Sequence, residues 1–177
     1  MAEPIPVRAL GFSGKLLLRG DAEVRDKAGA VLGFPLPADA MRATVGAGAK
    51  ALWLGPDEWL LLVPADTVEA VNRTLSAELD GLHHALVPLS HRFVGIAIHG
   101  PHAAELLAAG CPLDLHPRAF GPGTVTRTLL GKAEIVLHRP EAGSGFRLYV
   151  AQSFAPYLWT WLAAAAREFG GLAEVAA

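Results

Sequence analysis

Seven histidines and one cysteine are the residues of this 177-residue chain best suited to ligate a metal or act as base or nucleophile. His99 and His102 stand at an H-x-x-H spacing, and His83 and His84 are neighbours. A zinc site needs three or four N, S or O ligands that converge on one point. No Cys or acidic residue completes either pair at ligand spacing. His99 ends an expected strand and His102 opens an expected helix, so their side chains need not meet, and no metal ligand is assigned. Ser90 and His91, in "LSHRF", place a hydroxyl beside an imidazole. Neighbours on extended chain point to opposite faces, and no G-x-S-x-G elbow is present. A turn between two strands accounts for them better. "GAGAK" (46–50) and "GSG" (143–145) are glycine-rich, but neither has the further glycines or the strand-to-helix setting of a phosphate loop or dinucleotide fingerprint. Cys111 follows a helix C-terminus, whose negative partial charge disfavours a thiolate. Asp114, in "CPLDL", could hold an amine or cap local backbone amides. Arg118 and Arg127 could bind a carboxylate or face solvent. No residue is assigned as catalytic, cofactor-binding or metal-ligating.

The tryptophans point elsewhere. "LWLGPDEWLLLV" (52–63) carries Trp53 and Trp59 on two apolar runs around Gly-Pro-Asp-Glu, and Trp159 and Trp161 lie near the C-terminus. Trp pairs a large apolar area with one donor, which suits an interface anchor as well as a core. Trp53, Trp59 and Trp159 are the expected partner-interface residues. For Trp59 the core reading stands equally. Trp161 falls on the inward stripe of its helix and Trp159 off it.

The elements that carry these residues can be read from residue 50 onward. "KALWL" and "EWLLLV" read as strands turning at "GPDE", where Pro56 presets its φ for the turn. A run such as "WLLLV" suits a strand covered on both faces. "PADTVEAVNRTLSAEL" reads as a helix with Asp66 as N-cap and Glu69 completing a capping box. Its stripe is Val68, Val71, Leu75 and Leu79. "HALVPL" and "RFVGIAI" are strands, and "GPHAAELLAAG" is a short helix stopped by Gly110. "TVTRTLL" and "AEIVLHR" form a hairpin at Gly131-Lys132, and "GFRLYVA" is one more strand. A last helix is expected from Ser153 as N-cap, with Pro156 in its first turn and an inward stripe of Phe154, Leu158, Trp161, Leu162, Ala165 and Phe169. Residues 1–50 read mostly as extended chain, with short strands at "KLLLRG" and "MRATV". "FVGIAIHGPHAAELL" and "FRLYVAQSFAPYLWTWL" echo one another as strand, turn and helix. The fold class is α+β with largely antiparallel sheets and packing helices. The chain is expected to be one domain over 1–177, with an irregular part at 1–50 and a core at 51–177.

Composition narrows the function classes. The net charge is −2 and no block of Lys or Arg exists, so nucleic acid is not an expected partner. The opening "MAEPIPVRALG" has no apolar h-region, and the apolar run 154–166 is too short to cross a bilayer. A lone cysteine allows no internal disulfide, and a cytoplasmic protein is expected. Hydrophobic residues make up 52% of the chain and charged residues 18%, with a mean hydropathy of +0.35. That balance leaves apolar surface for a partner.

Five segments occur in order: "LGPDEWLLL", "PLSHR", "GCPLDLHPRAFGPG", "TRTLLGKAEIVLHR" and "FRLYVAQSFAPYLWTWL". Together they resemble the γ subunit family of heterotetrameric sarcosine oxidase, over roughly residues 50–170. Val125 stands where relatives often have Cys, and Gln152 where they often have Arg; neither change threatens the fold. The resemblance implies a fold like the folate-binding domain of glycine-cleavage T-protein. It implies membership of an enzyme that oxidatively demethylates sarcosine to glycine, passes the methyl carbon to tetrahydrofolate or releases formaldehyde, and forms hydrogen peroxide. It places FAD, FMN and the substrate site in β and its interface with α, NAD and the folate site in α, and zinc in δ. It assigns no cofactor and no catalytic residue to γ. The expected partners are the α, β and δ subunits, with a homodimer conceivable for the chain in isolation. The alternatives are a folate-binding module using Asp114 with Arg118 or Arg127, an aminomethyltransferase relative, and the γ subunit of a related N-methyl amine demethylase.

Overall fold

The structure, a computed structural model, describes residues 3–141 and 145–174. In chain order the first elements are β1 (Ile5–Ala9), β2 (Gly14–Gly20), α1 (Ala22–Leu32), β3 (Ala43–Val45), β4 (Lys50–Gly55), β5 (Glu58–Val63), α2 (Val68–Glu78) and β6 (His84–Pro88). Then follow β7 (Phe93–Ile98), α3 (Ala103–Ala108), β8 (Thr124–Leu130), β9 (Ala133–Arg139), β10 (Phe146–Ala151), α4 (Ala155–Ala165) and β11 (Leu172–Glu174). The α+β class with mostly antiparallel sheets, expected from the sequence, is what the chain adopts. Two units are distinguishable: Phe12–Ser90, and Met1–Gly11 with His91–Ala177.

The 12–90 unit has a five-stranded sheet in the order β3-β4-β5-β2-β6, with every neighbouring pair antiparallel. Leaving aside β3, the chain runs β-α-β-β-α-β, the ferredoxin-like arrangement of two split β-α-β crossovers. β5 is buried at all six positions, as its unbroken apolar run requires of a central strand covered on both faces. One face of the sheet presents Leu16, Leu18, Ala51, Trp59 and Leu61 to Val24 and Ala28 of α1, to Leu75 of α2 and to Leu79 just past its end. These residues are the unit's core.

Residues 1–50 are not mainly irregular. They contain β1, β2, α1 and β3. α1 is set by its ends. Asp21 Oδ1 accepts the N–H groups of Glu23 and Val24 at 3.0 and 3.1 Å. Gly33 closes the helix in the left-handed region at φ 77°, its N–H bonded to Gly29 O, a conformation glycine adopts without the Cβ penalty. The start of α2 also differs from the expected capping box. The cap position is Thr67, not Asp66, and no side chain caps it. Thr67 Oγ1 instead donates to Pro64 O, tightening the turn that feeds the helix. The predicted stripe does face inward: Leu75 and Leu79 are fully buried, and Val68 and Val71 pack against the same core.

The second unit has a six-stranded sheet in the order β11-β1-β7-β10-β9-β8. β1 is parallel to β11, and the other pairs are antiparallel. The path β7-α3-β9-β10-α4-β11 repeats the β-α-β-β-α-β order of the other unit. β8 adds an edge strand to β9 as β3 does to β4, and β1 is inserted between β7 and β11. The two echoing segments of the sequence are β7-α3 and β10-α4, whose strands are antiparallel neighbours.

α4 begins later than Ser153. A 3-10 turn covers Gln152–Phe154, and the α-helix opens at Ala155 with Pro156 in its first turn, where a missing N–H is tolerated. Leu158 and Leu162 are buried as expected, but Phe154 is 44% exposed and leaves the inward stripe. Trp161 is a packing residue. A Cβ added at Gly110 would lie 2.4 Å from its ring, and one at Gly131 only 2.5 Å from Tyr157 Oη. Lys132 N–H donates to that same hydroxyl at 3.0 Å. Gly131 in the β8–β9 turn and Gly110 after α3 thus leave room for Tyr157 and Trp161 of α4.

Candidate functional site

His99 and His102 line one cleft, which their spacing did not require. β7 ends at Ile98, and His99 N–H donates to Pro6 O at 2.9 Å, tying the strand end to β1. Gly100, at φ 95°, turns the chain, and His102 caps α3. Both imidazoles line a 360 Å³ cleft with Glu3 and the rings of Pro4, Pro6 and Pro101. His102 stacks on Phe169 at 5.3 Å between centroids, and its Nδ1 lies 2.9 Å from Glu105 Oε2. That pair is three residues apart on one short helix and open to water, where such ion pairs contribute little. Among the described residues, no three His, Cys, Asp or Glu side chains are placed to hold one metal ion.

Several of the other polar candidates have structural contacts. Ser90 Oγ accepts the N–H of Lys15 at 3.0 Å, and Ser90-His91 lies in the turn between β6 and β7. His84 Nδ1 is 3.0 Å from Leu82 O, and His83 is exposed. Cys111 is buried, with Sγ 3.7 Å from Thr128 Oγ1, and so is poorly placed to attack a substrate. Asp114 Oδ1 accepts the N–H of His116, a local turn of the kind that short acids stabilise. Arg118 and Arg127 are exposed. "GAGAK" is the β3–β4 connection, closed by Gly46 N–H to Ala49 O. Gly143 and Ser144 of "GSG" lie outside the described residues. None of these contacts joins a nucleophile to a base.

Trp59 resolves to the core. It is 1% exposed, and its indole N–H donates to Pro37 O at 2.8 Å. A side chain closed off in this way has no face to offer a partner, which removes it from the expected interface set. Trp53 stands directly opposite Trp59 in the β4–β5 register and is half-buried, as is Trp159. The β4–β5 hairpin thus sets one Trp into the core and leaves the other half-buried.

Two buried charges escaped the sequence reading. Lys15 is 3% exposed. Its Nζ donates to Ser13 O at 3.0 Å and lies 5.7 Å from the Phe12 ring centroid, and burial pushes its pKa below the usual lysine value. Glu58, also buried, pairs with Arg19 at 2.9 Å. That hydrogen bond, then the attraction between the two charges, raises the arginine's pKa. Arg19 and Glu58 are register partners of β2 and β5, so the pair pins the central strands. Lys15 and Glu58 each directly precede the apolar run of their strand, and no local signal marks a buried charge there.

The comparisons with known proteins bear on the whole chain. The sarcosine oxidase, gamma subunit family matches residues 19–168. The chain is 35% identical to the sarcosine oxidase subunit gamma of Corynebacterium sp. (strain U-96), over 97% of this chain and 83% of that one. It is 34% identical to the subunit gamma of Arthrobacter sp., over 79% and 68%. Among solved structures it is similar to a chain of the heterotetrameric sarcosine oxidase from Corynebacterium sp. U-96 in complex with pyrrole 2-carboxylate. The TM-score there is 0.85 at 32% identity, covering 96% of this chain and 87% of that one. Its fold is also that of aminomethyltransferase T of the glycine cleavage system from Bartonella henselae. That match has a TM-score of 0.70 at 15% identity, over 98% of this chain and 48% of the other. On the family match and on identity above 30% across nearly its whole length, the chain belongs to the sarcosine oxidase gamma subunit family.

Proposed function

We propose that this chain is a non-catalytic assembly subunit of a complex that oxidatively demethylates sarcosine. The observation that carries the reading is the likeness, in sequence and fold together, to the gamma subunit of a heterotetrameric sarcosine oxidase. A gamma subunit implies at least two other kinds of chain, and the partners in this reading are α, β and δ subunits. They hold the FAD, FMN, NAD, zinc and tetrahydrofolate that the reaction uses, while this chain holds none. Its own contribution is surface. Trp53 and Trp159, both half-buried, are the side chains that this reading assigns to partner contacts.

The test is recovery of tagged protein from its native host, with mass spectrometry of what accompanies it and an absorbance scan. The chain expressed alone is expected to be colourless. The assembly is expected to be yellow and to contain the other subunits. A chain that holds flavin when purified by itself would overturn the reading.

A further inference from the structure

We infer that the outward face of α4 is a docking surface for another subunit of the complex, one that presents an uncharged apolar surface of its own. The inference rests on the assembly role proposed above and names where that role is exercised.

A helix that keeps one face in water normally carries charge there. The outer faces of α1 and α2 obey this: Glu23, Asp26 and Lys27 are exposed on the first, and Glu69, Arg73 and Glu78 on the second. α4 does not. Its eleven residues, APYLWTWLAAA, include no charged side chain. At 100° per residue, Pro156, Thr160, Ala163 and Ala164 share one stripe, and all four are exposed. The one polar side chain among them turns inward on its own helix, Thr160 Oγ1 donating to Pro156 O at 3.0 Å.

Aromatic residues border that stripe. Phe154, at the helix entrance, is 44% exposed and meets Tyr157 edge-on at 6.3 Å. Trp159 is half-buried along one flank. The combination of exposed aromatics with absent charge is the composition of an interface centre rather than of a solvated surface. The helix also rests on a firm base, because Trp161 and Tyr157 are clasped by the β8–β9 turn. A rigid surface loses little freedom on binding.

The occupant follows from the same facts. A face without charge offers no complement to a charged or nucleic-acid partner, and burying a charged partner group against it would leave that group unpaired. An apolar protein surface fits. The family's members are subunits of a heterotetramer, so the partner is a different subunit rather than a second copy of this chain.

The experiment co-expresses the full chain with the other subunits and compares three single variants. Ala163→Glu and Thr160→Lys put a charge on the α4 face. Ala70→Glu puts one on the already charged outer face of α2 and serves as control. The two α4 variants are expected to melt as the parent does yet to lose at least tenfold in affinity for the other subunits, while A70E assembles normally. Oxidative footprinting of the unmodified protein gives a reading that needs no variant: labelling of Phe154 and Trp159 is expected to fall on assembly. Normal assembly of A163E and T160K, or unchanged labelling of both aromatics, would overturn the inference. So would an isolated homodimer that A163E dissociates without affecting assembly. If the unmodified chain joins no other subunit, the proposed function fails, and this inference with it. If that chain assembles and only the α4 tests fail, the proposed function stands without this surface.

Discussion

Lys15 is the residue with the most to say about stability. It sits on β2 between Gly14 and Leu16, in the register that pairs it with Leu62 of β5, and burial pushes its pKa down. The charged form bears a desolvation cost in the folded chain only. When pH rises past the depressed folded value, the native state releases its proton before the unfolded state does. The unfolded chain then binds more protons, and native stability rises until both forms are neutral near 10.5, by linkage. Lys15→Met removes the charge and keeps the chain length. It is expected to raise stability at pH 7 by on the order of 1 kcal/mol, with the gain shrinking as pH approaches 10.5. Urea denaturation midpoints at several pH values measure it. A gain independent of pH would show that packing, not charge, sets the effect.

At the scale of elements, α1 offers a local test. Two orphan N–H groups of its first turn are accepted by one carboxylate, Asp21, and Asp21→Ala is expected to cost about 0.5–2 kcal/mol, read as a lower thermal midpoint with unchanged native spectra. An unchanged midpoint would mean that packing of Val24 and Ala28 alone holds the helix. This same helix shows why part of the fold escaped the sequence. Its buried residues are Val24, Ala28 and Gly29, too small and too few to give a hydrophobic stripe, so the signal lay in the caps. β1 and β11 were missed because neither is a strand by local pattern; each exists through pairing with chain more than 80 residues away, β1 with β7 and β11 with β1. The hairpins β4–β5 and β8–β9 were legible because the turn residues and both apolar runs lie within one short window. The fate of Trp59 depended on Pro37, which lies 22 residues away and whose carbonyl takes the indole N–H. No reading of the hairpin alone distinguishes that from an exposed tryptophan. The convergence of His99 and His102 on one cleft was equally hidden, since it depends on β1 lying beside β7.

At the scale of the molecule, the two units share one chain order and, apart from β1 inserted between β7 and β11, one order of strands, with an added edge strand at the same place in each. β5 is the central strand of one sheet, with β2 the more buried of its two neighbours, and β7 and β10 are central in the other. β5 is buried along its length, and β10 and β7 carry runs of buried residues. β3 and β6 border the first sheet, and β8 and β11 the second. Exchange of backbone amides requires opening, and the free energy of opening is greatest where strands are paired on both sides and buried. Hydrogen exchange of the isolated chain is therefore expected to show two separate groups of slow amides, one in β2 and β5 and the other in β7 and β10. β3 and β6 are expected to exchange faster than their own sheet's centre, and β8 to exchange faster than β10. β8 alternates buried and exposed positions and leaves Leu129 in solvent, so its free edge has little to protect it. Mass spectrometry on proteolytic fragments resolves these segments. One group of slow amides confined to a single sheet would show that only one unit is stable by itself. The other unit would then draw its stability from partners, which would make assembly a condition of its folding as well as of its function.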